Sequence, residues 1–304
     1  MEKEPVKDQV PRSMSTSCQL VTEELVFQET LTQFLLEQPD FYVIACVGLP
    51  GVGKSTLMRQ LSGCPTSFSL LTRDKITNAE PGTLGIEAFV TSDRVVWIDC
   101  QPLMSAGVAE RDIARSRETY KENLGSEALT LSATTEVLAL HTLAFIYCVA
   151  DVVLVVQDHF PNPHLIRLLQ TAEMLKPNLS VDESTVDHLP NLVFIHQGKQ
   201  HMSTKSMNEF YHRCFQTSRL RYKSKLNQFV GKPADGQTNL VILPDDSFAF
   251  KQIIDQLRCG LLALPKLTLN PLALSEKTWL MFAHKAWETV RKSALINEYS
   301  RLLP

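Results

Sequence analysis

The segment CVGLPGVGKSTLM at residues 46–58 constrains the fold of this chain more than any other feature. Gly48 to Ser55 match the pattern G-x-x-x-x-G-K-[ST], in which glycines let the backbone wrap around phosphate oxygens. The preceding run FYVIACV (41–47) is short, apolar and rich in β-branched residues, as expected of a buried parallel strand. A helix that begins near Lys54 would point its positive N-terminus at the anion. The segment therefore predicts a phosphate-binding loop between a strand and a helix.

The rest of the chain alternates apolar runs with helical patterns. Further strands are predicted at 86–90, 94–99, 151–158, 191–196 and 239–244. Helices are predicted at 131–148, 162–176, 204–229 and 248–262, with long loops at 63–85 and 100–130. Such alternation implies right-handed crossovers between parallel strands. We therefore expect an α/β fold of the P-loop NTPase, G-domain-like type, with a mostly parallel sheet, helices on both faces and a C-terminal helical extension.

The two ends of the chain fall outside this alternation. We expect a disordered stub over 1–19, and a G-domain-like unit over 20–262 that includes a preceding amphipathic helix over 23–38. Residues 263–304 are expected to pack on the domain or on a partner. Within them, apolar residues spaced alternately by 3 and 4 predict one long amphipathic helix with Ser275 as its N-cap. These residues are Leu280, Ala283, Trp287, Val290 and Ala294.

The phosphate loop has predicted roles for its individual residues. Lys54 would reach the β- and γ-phosphate oxygens, and Ser55 would ligate Mg²⁺. The predicted nucleotide contacts are Gly48, Pro50, Gly51, Val52, Gly53, Lys54, Ser55, Thr56, Gln197 and Lys199. The opposing interpretation is a vestigial turn with no ligand.

Two more residues are predicted on the metal side of the site. Asp99 ends the run RVVWID and would hold Mg²⁺ through water. Thr83 precedes the second predicted strand, where a GTPase keeps the switch threonine that binds Mg²⁺. The predicted metal residues are therefore Ser55, Thr83 and Asp99. Each of the last two has a plainer alternative, a strand-end cap for Asp99 and a turn residue for Thr83.

Several groups that an efficient GTPase needs are missing from the sequence. Pro102 stands where the glycine of D-x-x-G would donate its N–H to the γ-phosphate, and proline has no N–H. Leu103 stands where many GTPases have a water-orienting glutamine, and Gln101 comes before that position. Pro50 lies where the loop passes nearest the γ-phosphate and removes another N–H. We therefore predict no catalytic residue and little or no hydrolysis.

The base-reading motif N-K-x-D is also degenerate. After the predicted strand 191–196 the chain reads HQGKQ (196–200), without the aspartate that would accept from the ring N–H and amino group of guanine. Preference for guanine over adenine should weaken when that carboxylate is absent. The expected cofactors are Mg²⁺ and a nucleotide, with GDP or GTP and ATP both left open.

Composition narrows the environment of the protein. A net charge of −3 over 304 residues argues against a nucleic-acid-binding surface across the whole chain. Seven cysteines without a CxxC pair indicate a reducing compartment. No apolar run approaches the ~20 residues of a membrane-spanning helix. We therefore expect a cytoplasmic protein, with nuclear residence left open and no membrane partner.

One local stretch departs from this balance. Between Phe210 and Ala234 the chain has six basic residues and no acidic one. They are Arg213, Arg219, Arg221, Lys223, Lys225 and Lys232. The stretch is a candidate surface for RNA backbone or an acidic partner, and a solvated helix face is the alternative.

Several blocks of the sequence resemble the family of the ninth SMG protein of nonsense-mediated mRNA decay. They are VGLPGVGKS, GIEAFVTSDRVVWIDCQPL, VVQDHFPNPHLIRLLQTAEMLKP, HLPNLVFIHQ and SEKTWLMFAHKAWETVRKSALINEYSRLLP, and the resemblance covers roughly residues 20–304. It implies a G-domain-like subunit of the SMG kinase complex that pairs with the related eighth SMG protein. It also implies that the pair binds and restrains the phosphoinositide-3-kinase-like kinase that phosphorylates the up-frameshift RNA helicase, and indirect association with RNA is left open.

Three functions are consistent with these observations. The first is a regulatory subunit that binds nucleotide with little or no hydrolysis. The second is an active NTPase completed by a residue from its partner G domain. The third is a structural adaptor whose nucleotide is fixed or absent. The intact phosphate loop beside missing hydrolytic groups favours the first.

Overall fold

The computed structural model describes residues 13–70, 82–119, 130–179, 188–198, 202–230, 238–266 and 274–303. Seven strands form one sheet in the order β1-β3-β4-β2-β5-β6-β7. The strands are β1 (Cys18–Val21), β2 (Tyr42–Gly48), β3 (Ile86–Val90), β4 (Val95–Cys100), β5 (Val152–Gln157), β6 (Asn191–His196) and β7 (Leu240–Ile242). The β4-β2-β5-β6-β7 part is parallel, and β1 and β3 are antiparallel additions at one edge. The six predicted strands and the mostly parallel sheet are confirmed.

The helices cover both faces of this sheet. They are α1 (Lys54–Ser62), α2 (Ala106–Thr119), α3 (Leu131–Val149), α4 (Pro163–Leu175), α5 (Thr204–Phe215), α6 (Ser247–Leu262), α7 (Glu276–Arg291) and α8 (Ala294–Ser300). One apolar cluster lies between the sheet and α3, α4, α5, α7 and α8. A second lies on the opposite face against α1 and α6. Strands β2 and β5 read as continuous apolar runs because both of their faces are buried. The chain therefore has the predicted α/β P-loop, G-domain-like fold.

The C-terminal segment packs onto the sheet domain as two helices. The indole N–H of Trp279 donates to the carbonyl of Val149 at 3.0 Å, and that of Trp287 donates to the carbonyl of Leu25 at 2.9 Å. Ser275 caps α7 as predicted, since its hydroxyl accepts from the N–H of Thr278 at 3.3 Å. The described part of the extension is thus anchored by buried apolar surface and by two indole hydrogen bonds.

The prediction of one long C-terminal helix is wrong. The helix ends at Arg291, and Ser293 serves as the N-cap of α8. Serine favours this because its hydroxyl satisfies a free N–H of a new helix. The break turns Ala294 outward, and Ile296 is the buried residue of α8. The apolar period alone did not reveal this interruption.

Other local predictions also fail. The predicted amphipathic helix over 23–38 contains only the short 3-10 helix Thr30–Phe34. Cys18 and Gln19, which the sequence analysis assigned to the stub, lie in the edge strand β1 because they pair with β3. Residues 1–12 lie outside the described part. The predicted loop over 100–130 contains α2, and the predicted helix over 204–229 ends at Phe215 and is followed by a 3-10 helix, Lys225–Gln228.

The length and apolar composition of helix α3 test the expectation that no apolar run is as long as a membrane-spanning helix. Within the described residues, Leu131–Val149 is one helix of 19 residues that is long and apolar enough to cross a membrane by length and composition. Of its apolar window, 72% is buried inside the protein. The apolar-run statement was therefore too strong. Core helices pass the same test, and the packing of α3 between the sheet, α4 and α7 accounts for its composition.

Candidate nucleotide-binding site

The phosphate loop joins the carboxyl end of β2 to α1, at the edge of the sheet where ligands of such folds bind. Gly53 is the N-cap of α1 and has a positive φ of 80°. The backbone conformation therefore favours glycine here, and a Cβ at that position would lie 2.9 Å from Oε1 of the flexible Gln197 side chain. The free N–H groups of the first turn of α1 are consequently close to the loop, as an anion site needs.

The remaining predicted loop residues fall into two groups. Gly48 is the last residue of β2, and Val52 is buried in the apolar cluster under α1. Pro50, Gly51 and Thr56 are exposed to solvent. The loop is therefore fixed through β2 and Val52, while its outer turn is open to a ligand.

Lys54 is buried at the start of α1. Its Nζ donates to the carbonyl oxygen of Leu49 at 3.1 Å, across the mouth of the loop. Burial lowers the pKa of Lys54, while the nearby carboxylate of Asp99 acts in the opposite direction. Within the described residues this cation is hydrogen-bonded to one neutral carbonyl, and phosphate oxygens would supply negative charge at the same place.

Ser55, Thr83 and Asp99 converge beside the loop. The hydroxyls of Ser55 and Thr83 donate to Oδ2 of Asp99 at 2.6 and 3.1 Å, and the two hydroxyl oxygens are 3.3 Å apart. Asp99 lies at the end of β4, next to β2, so the parallel pairing brings it to the phosphate loop. The three residues predicted from separate segments therefore form one cluster.

Asp99 is incompletely satisfied within this cluster. Its Oδ1 is buried and has no hydrogen-bond partner among the described residues. Burial raises the pKa of Asp99 to about 6, against the lowering effects of Lys54 and the Ser55 hydroxyl. Hydroxyl and carboxylate oxygens are the ligands that Mg²⁺ prefers, usually together with water and phosphate. The cluster fits a Mg²⁺ ion, which Ser55 and Thr83 would ligate and Asp99 would hold through water. A site built from three or more His, Cys, Asp or Glu is not found in the described residues.

The backbone N–H groups of Gln101 and Leu103, and the Gln101 side chain, form hydrogen bonds within the protein. The Leu103 N–H donates to the carbonyl of Gly48 at 3.0 Å, and the side-chain Oε1 of Gln101 accepts from the N–H of Gly85 at 3.0 Å. Gln101 also donates its own N–H to the Gly85 carbonyl at 2.8 Å. Together with Pro102, which has no N–H, these bonds leave residues 101–103 without a backbone donor for a γ-phosphate. Sequence reasoning found the proline but missed the two anchors, because they depend on the approach of Gly85.

The loop after β6 reaches the phosphate loop through Gln197. Its side-chain amide lies against Gly53, and its N–H donates to the carbonyl of Gln157 at 2.9 Å. The structure thus places Gln197 at the predicted site. Lys199, the other predicted residue of this loop, lies outside the described residues.

The sequence was compared with family models and with the sequences of curated proteins. No family model matches the sequence. The nonsense-mediated mRNA decay factor SMG9 of Xenopus laevis is 29% identical over 350 residues, which cover 96% of this chain and 68% of that protein. The chain is thus similar to SMG9 factors over almost its whole length. The factor of that name from Caenorhabditis elegans is 26% identical over 60% of this chain and 47% of its own length.

Two solved structures show more distant likeness. The bacterial selenocysteine-specific elongation factor EF-Sec covers 72% of this chain at 12% identity, with 28% of that chain matched and a TM-score of 0.37. A variant of Era from Aquifex aeolicus bound to GDP and AlF4⁻ covers 76% at 15% identity, with 58% of that chain matched and a TM-score of 0.37. The fold assignment itself rests on the strand order and on the position of the phosphate loop.

Proposed function

We propose that this chain is a nucleotide-binding subunit that acts in nonsense-mediated mRNA decay and holds a Mg²⁺–nucleotide with little or no hydrolysis. The observation that carries the proposal is the cluster of Asp99, Ser55 and Thr83 beside an intact phosphate loop. Lys54 would neutralise the β- and γ-phosphates, and the first turn of α1 would donate its N–H groups to them. The hydrogen bonds of Gln101 and Leu103 favour nucleotide binding without hydrolysis, because they occupy the backbone donors that would lie next to the γ-phosphate.

The proposed assembly follows from the resemblance to the SMG family. We propose that the subunit pairs with the related eighth SMG protein and regulates the phosphoinositide-3-kinase-like kinase of the pathway in the cytoplasm. The base is proposed to be guanine or adenine, since a carboxylate for guanine is missing from the loop after β6. Any association with RNA would be indirect. Within the basic stretch, Arg219 already faces Glu173 at 3.9 Å, and Lys232 lies outside the described residues.

The purified chain and a Lys54→Ala variant test nucleotide binding. Nucleotide released from the denatured wild-type protein is identified by chromatography, and affinities for Mg²⁺ with GTP or ATP are measured by calorimetry. We expect Lys54→Ala to weaken binding by more than about 10-fold, because a charged hydrogen bond to phosphate is lost. Lys277→Ala removes a half-buried lysine of α7 that pairs with Glu37 at 3.5 Å, away from the phosphate loop, and is the matched control. Wild-type protein that binds neither nucleotide would refute the proposal.

Hydrolysis and regulation need the assembled complex. Turnover is measured with the partner subunits present, for wild-type protein and Lys54→Ala. No turnover above the variant is expected. A rate that depends on Lys54 would favour the alternative, an NTPase completed by the partner. Assembly and kinase restraint that survive loss of nucleotide would reduce the chain to a structural adaptor.

A further inference from the structure

At its described positions 197 and 198, the loop after β6 has no lysine side chain of the kind that usually covers a nucleotide base. In the pattern N-K-x-D the residue after the asparagine is a lysine, and its stem covers one face of the base. Gln197 takes the first place here, as its contact with Gly53 shows, so Gly198 takes the second. Gly198 has a positive φ of 73° and no side chain. Gly198 itself therefore contributes no side chain to the face that a lysine stem would cover.

The ring of His159 fills the space beside Gly198. A Cβ built on Gly198 would lie 3.1 Å from Cε1 and 3.2 Å from Nδ1 of His159. His159 belongs to the loop after β5, which lies next to β6, and it is exposed to solvent. An imidazole thus stands where the second residue of the motif would place its side chain. The neighbouring Phe160 is also exposed, at 58% of its surface.

The loop that carries His159 is fixed at both ends by buried polar groups. The side-chain Oε1 of Gln157 accepts from the N–H of Asn162 at 2.8 Å, and Nδ1 of His196 lies 2.8 Å from the carbonyl oxygen of Asp158. The Tyr211 hydroxyl joins these two anchors, at 2.7 Å from Nε2 of Gln157 and 2.6 Å from Nε2 of His196. Residues 158–162 are therefore pinned to the ends of β5 and β6.

The pattern of donors in this network fixes one arrangement of protons. The Gln157 amide can only donate to the Tyr211 oxygen, so the hydroxyl hydrogen goes to Nε2 of His196. His196 then carries its hydrogen on Nδ1 and donates to Asp158. Burial lowers the pKa of His196, in agreement with a neutral ring. The network is complete without a ligand, which means that its role is to hold the two loops.

We propose that His159 is a base-contacting residue, whose imidazole stacks against the purine of the bound nucleotide. The assignment rests on the proposed nucleotide function and names the part of the ligand that this residue would recognise. Stacking on an aromatic ring tolerates any base, because every base has a π-face. The site would then bind a nucleoside di- or triphosphate mainly through its phosphates and the face of its base, with little discrimination between guanine and adenine.

The test separates the base from the phosphates. Calorimetric titrations with ATP, GTP and inorganic tripolyphosphate, each with Mg²⁺, are made on the wild-type chain and three variants. His159→Ala is expected to weaken both nucleotides about 10-fold, from the usual value of one stacked base, and to leave tripolyphosphate unchanged. His159→Phe should restore nucleotide affinity. His164→Ala, which removes an exposed histidine in the first turn of α4, should change none of the three.

Each other outcome has a separate meaning. In one outcome, the wild-type protein binds tripolyphosphate and both nucleotides, and His159→Ala has the same affinity for all three. That result overturns the base contact and leaves the proposed function standing. Equal loss of tripolyphosphate and nucleotide in His159→Ala shows that the residue supports the phosphate loop, and it also overturns the base contact. Wild-type protein that binds none of the ligands removes the proposed function and this assignment together.

Discussion

Asp99 and Glu276 are both fully buried carboxylates, and they differ in how completely their oxygens are hydrogen-bonded. Both oxygens of Glu276 are occupied: Oε1 accepts from Nε of Arg94 at 2.7 Å and from Nε2 of Gln38 at 3.0 Å, and Oε2 accepts from the N–H of Leu36 at 2.7 Å and from a second nitrogen of Arg94. Asp99 has two hydroxyl donors on Oδ2 and none on Oδ1 within the described residues. A satisfied carboxylate joins parts of a fold, whereas an incompletely satisfied one favours a cation.

The location of each carboxylate agrees with this difference. Glu276 begins α7, and its partners come from the segment 34–38 and from the turn between β3 and β4 that carries Arg94. It therefore ties the C-terminal helix to two sequence-distant segments at the end of the sheet opposite the phosphate loop. Asp99 lies at the ligand-binding end, beside Lys54 and the phosphate loop.

Loss of the ion pair between Glu276 and Arg94 should give the largest loss of stability. Glu276→Gln keeps the shape and the acceptor for Leu36 but leaves the Arg94 guanidinium without a counter-charge in a largely buried position. Removing one partner of a buried ion pair typically costs about 3–5 kcal/mol. We expect that loss in the free energy of unfolding measured with urea, with the nucleotide affinity of the folded protein retained.

Glu288→Gln is the matched control on the same helix. Glu288 is near the surface and pairs with Lys292 at 2.7 Å, so its loss should cost less than about 0.5 kcal/mol. Equal effects of the two substitutions would contradict the structural role given to Glu276.

Asp99→Asn should change stability in the opposite direction. The pKa of Asp99 is about 6 in the folded chain, against an ordinary value of 3.8. Between pH 4 and pH 6 the folded state therefore holds a proton that the unfolded state has released, so stability falls as pH rises through this window. At pH 7 the buried charge costs roughly 3 kcal/mol at most, and without ligand Asp99→Asn should be more stable by up to about that amount.

Two measurements check the assignment of Asp99. Urea unfolding at pH 4.5 and pH 7 should show a smaller fall in stability for Asp99→Asn than for the wild-type chain. Thermal melting with nucleotide should show a gain on addition of Mg²⁺ for the wild-type chain and a much smaller gain for the variant. Identical pH slopes would mean that Asp99 does not carry a raised pKa.

The role of Asp99 could be predicted from the sequence, and the role of Glu276 could not. Asp99 could be predicted because the phosphate loop, the apolar strand before Asp99 and the position of Thr83 are local patterns with known chemistry. Glu276 could not, because its partners lie about 180 and 240 residues away along the chain and none belongs to a motif. The strands were predictable for the same local reason, whereas β1 and the shortened N-terminal helix depend on pairing with β3 and on packing against α7. His159 also escaped notice, although the glycine at 198 was a signal that this position contributes no side chain to the base site.

Ser275→Ala gives the smallest effect and separates the cap of α7 from the carboxylate beside it. The Ser275 hydroxyl accepts from the N–H of Thr278 at 3.3 Å and donates to Glu37 at 2.9 Å, and neither bond involves Glu276. Loss of an N-cap typically costs about 1 kcal/mol. We expect that decrease in urea unfolding, and a smaller one for Ser293→Ala, whose cap bond to Ile296 is longer at 3.5 Å. If Ser275→Ala cost as much as Glu276→Gln, the end of α7 would unfold as one unit, and the ion pair could not be given a separate share of the stability.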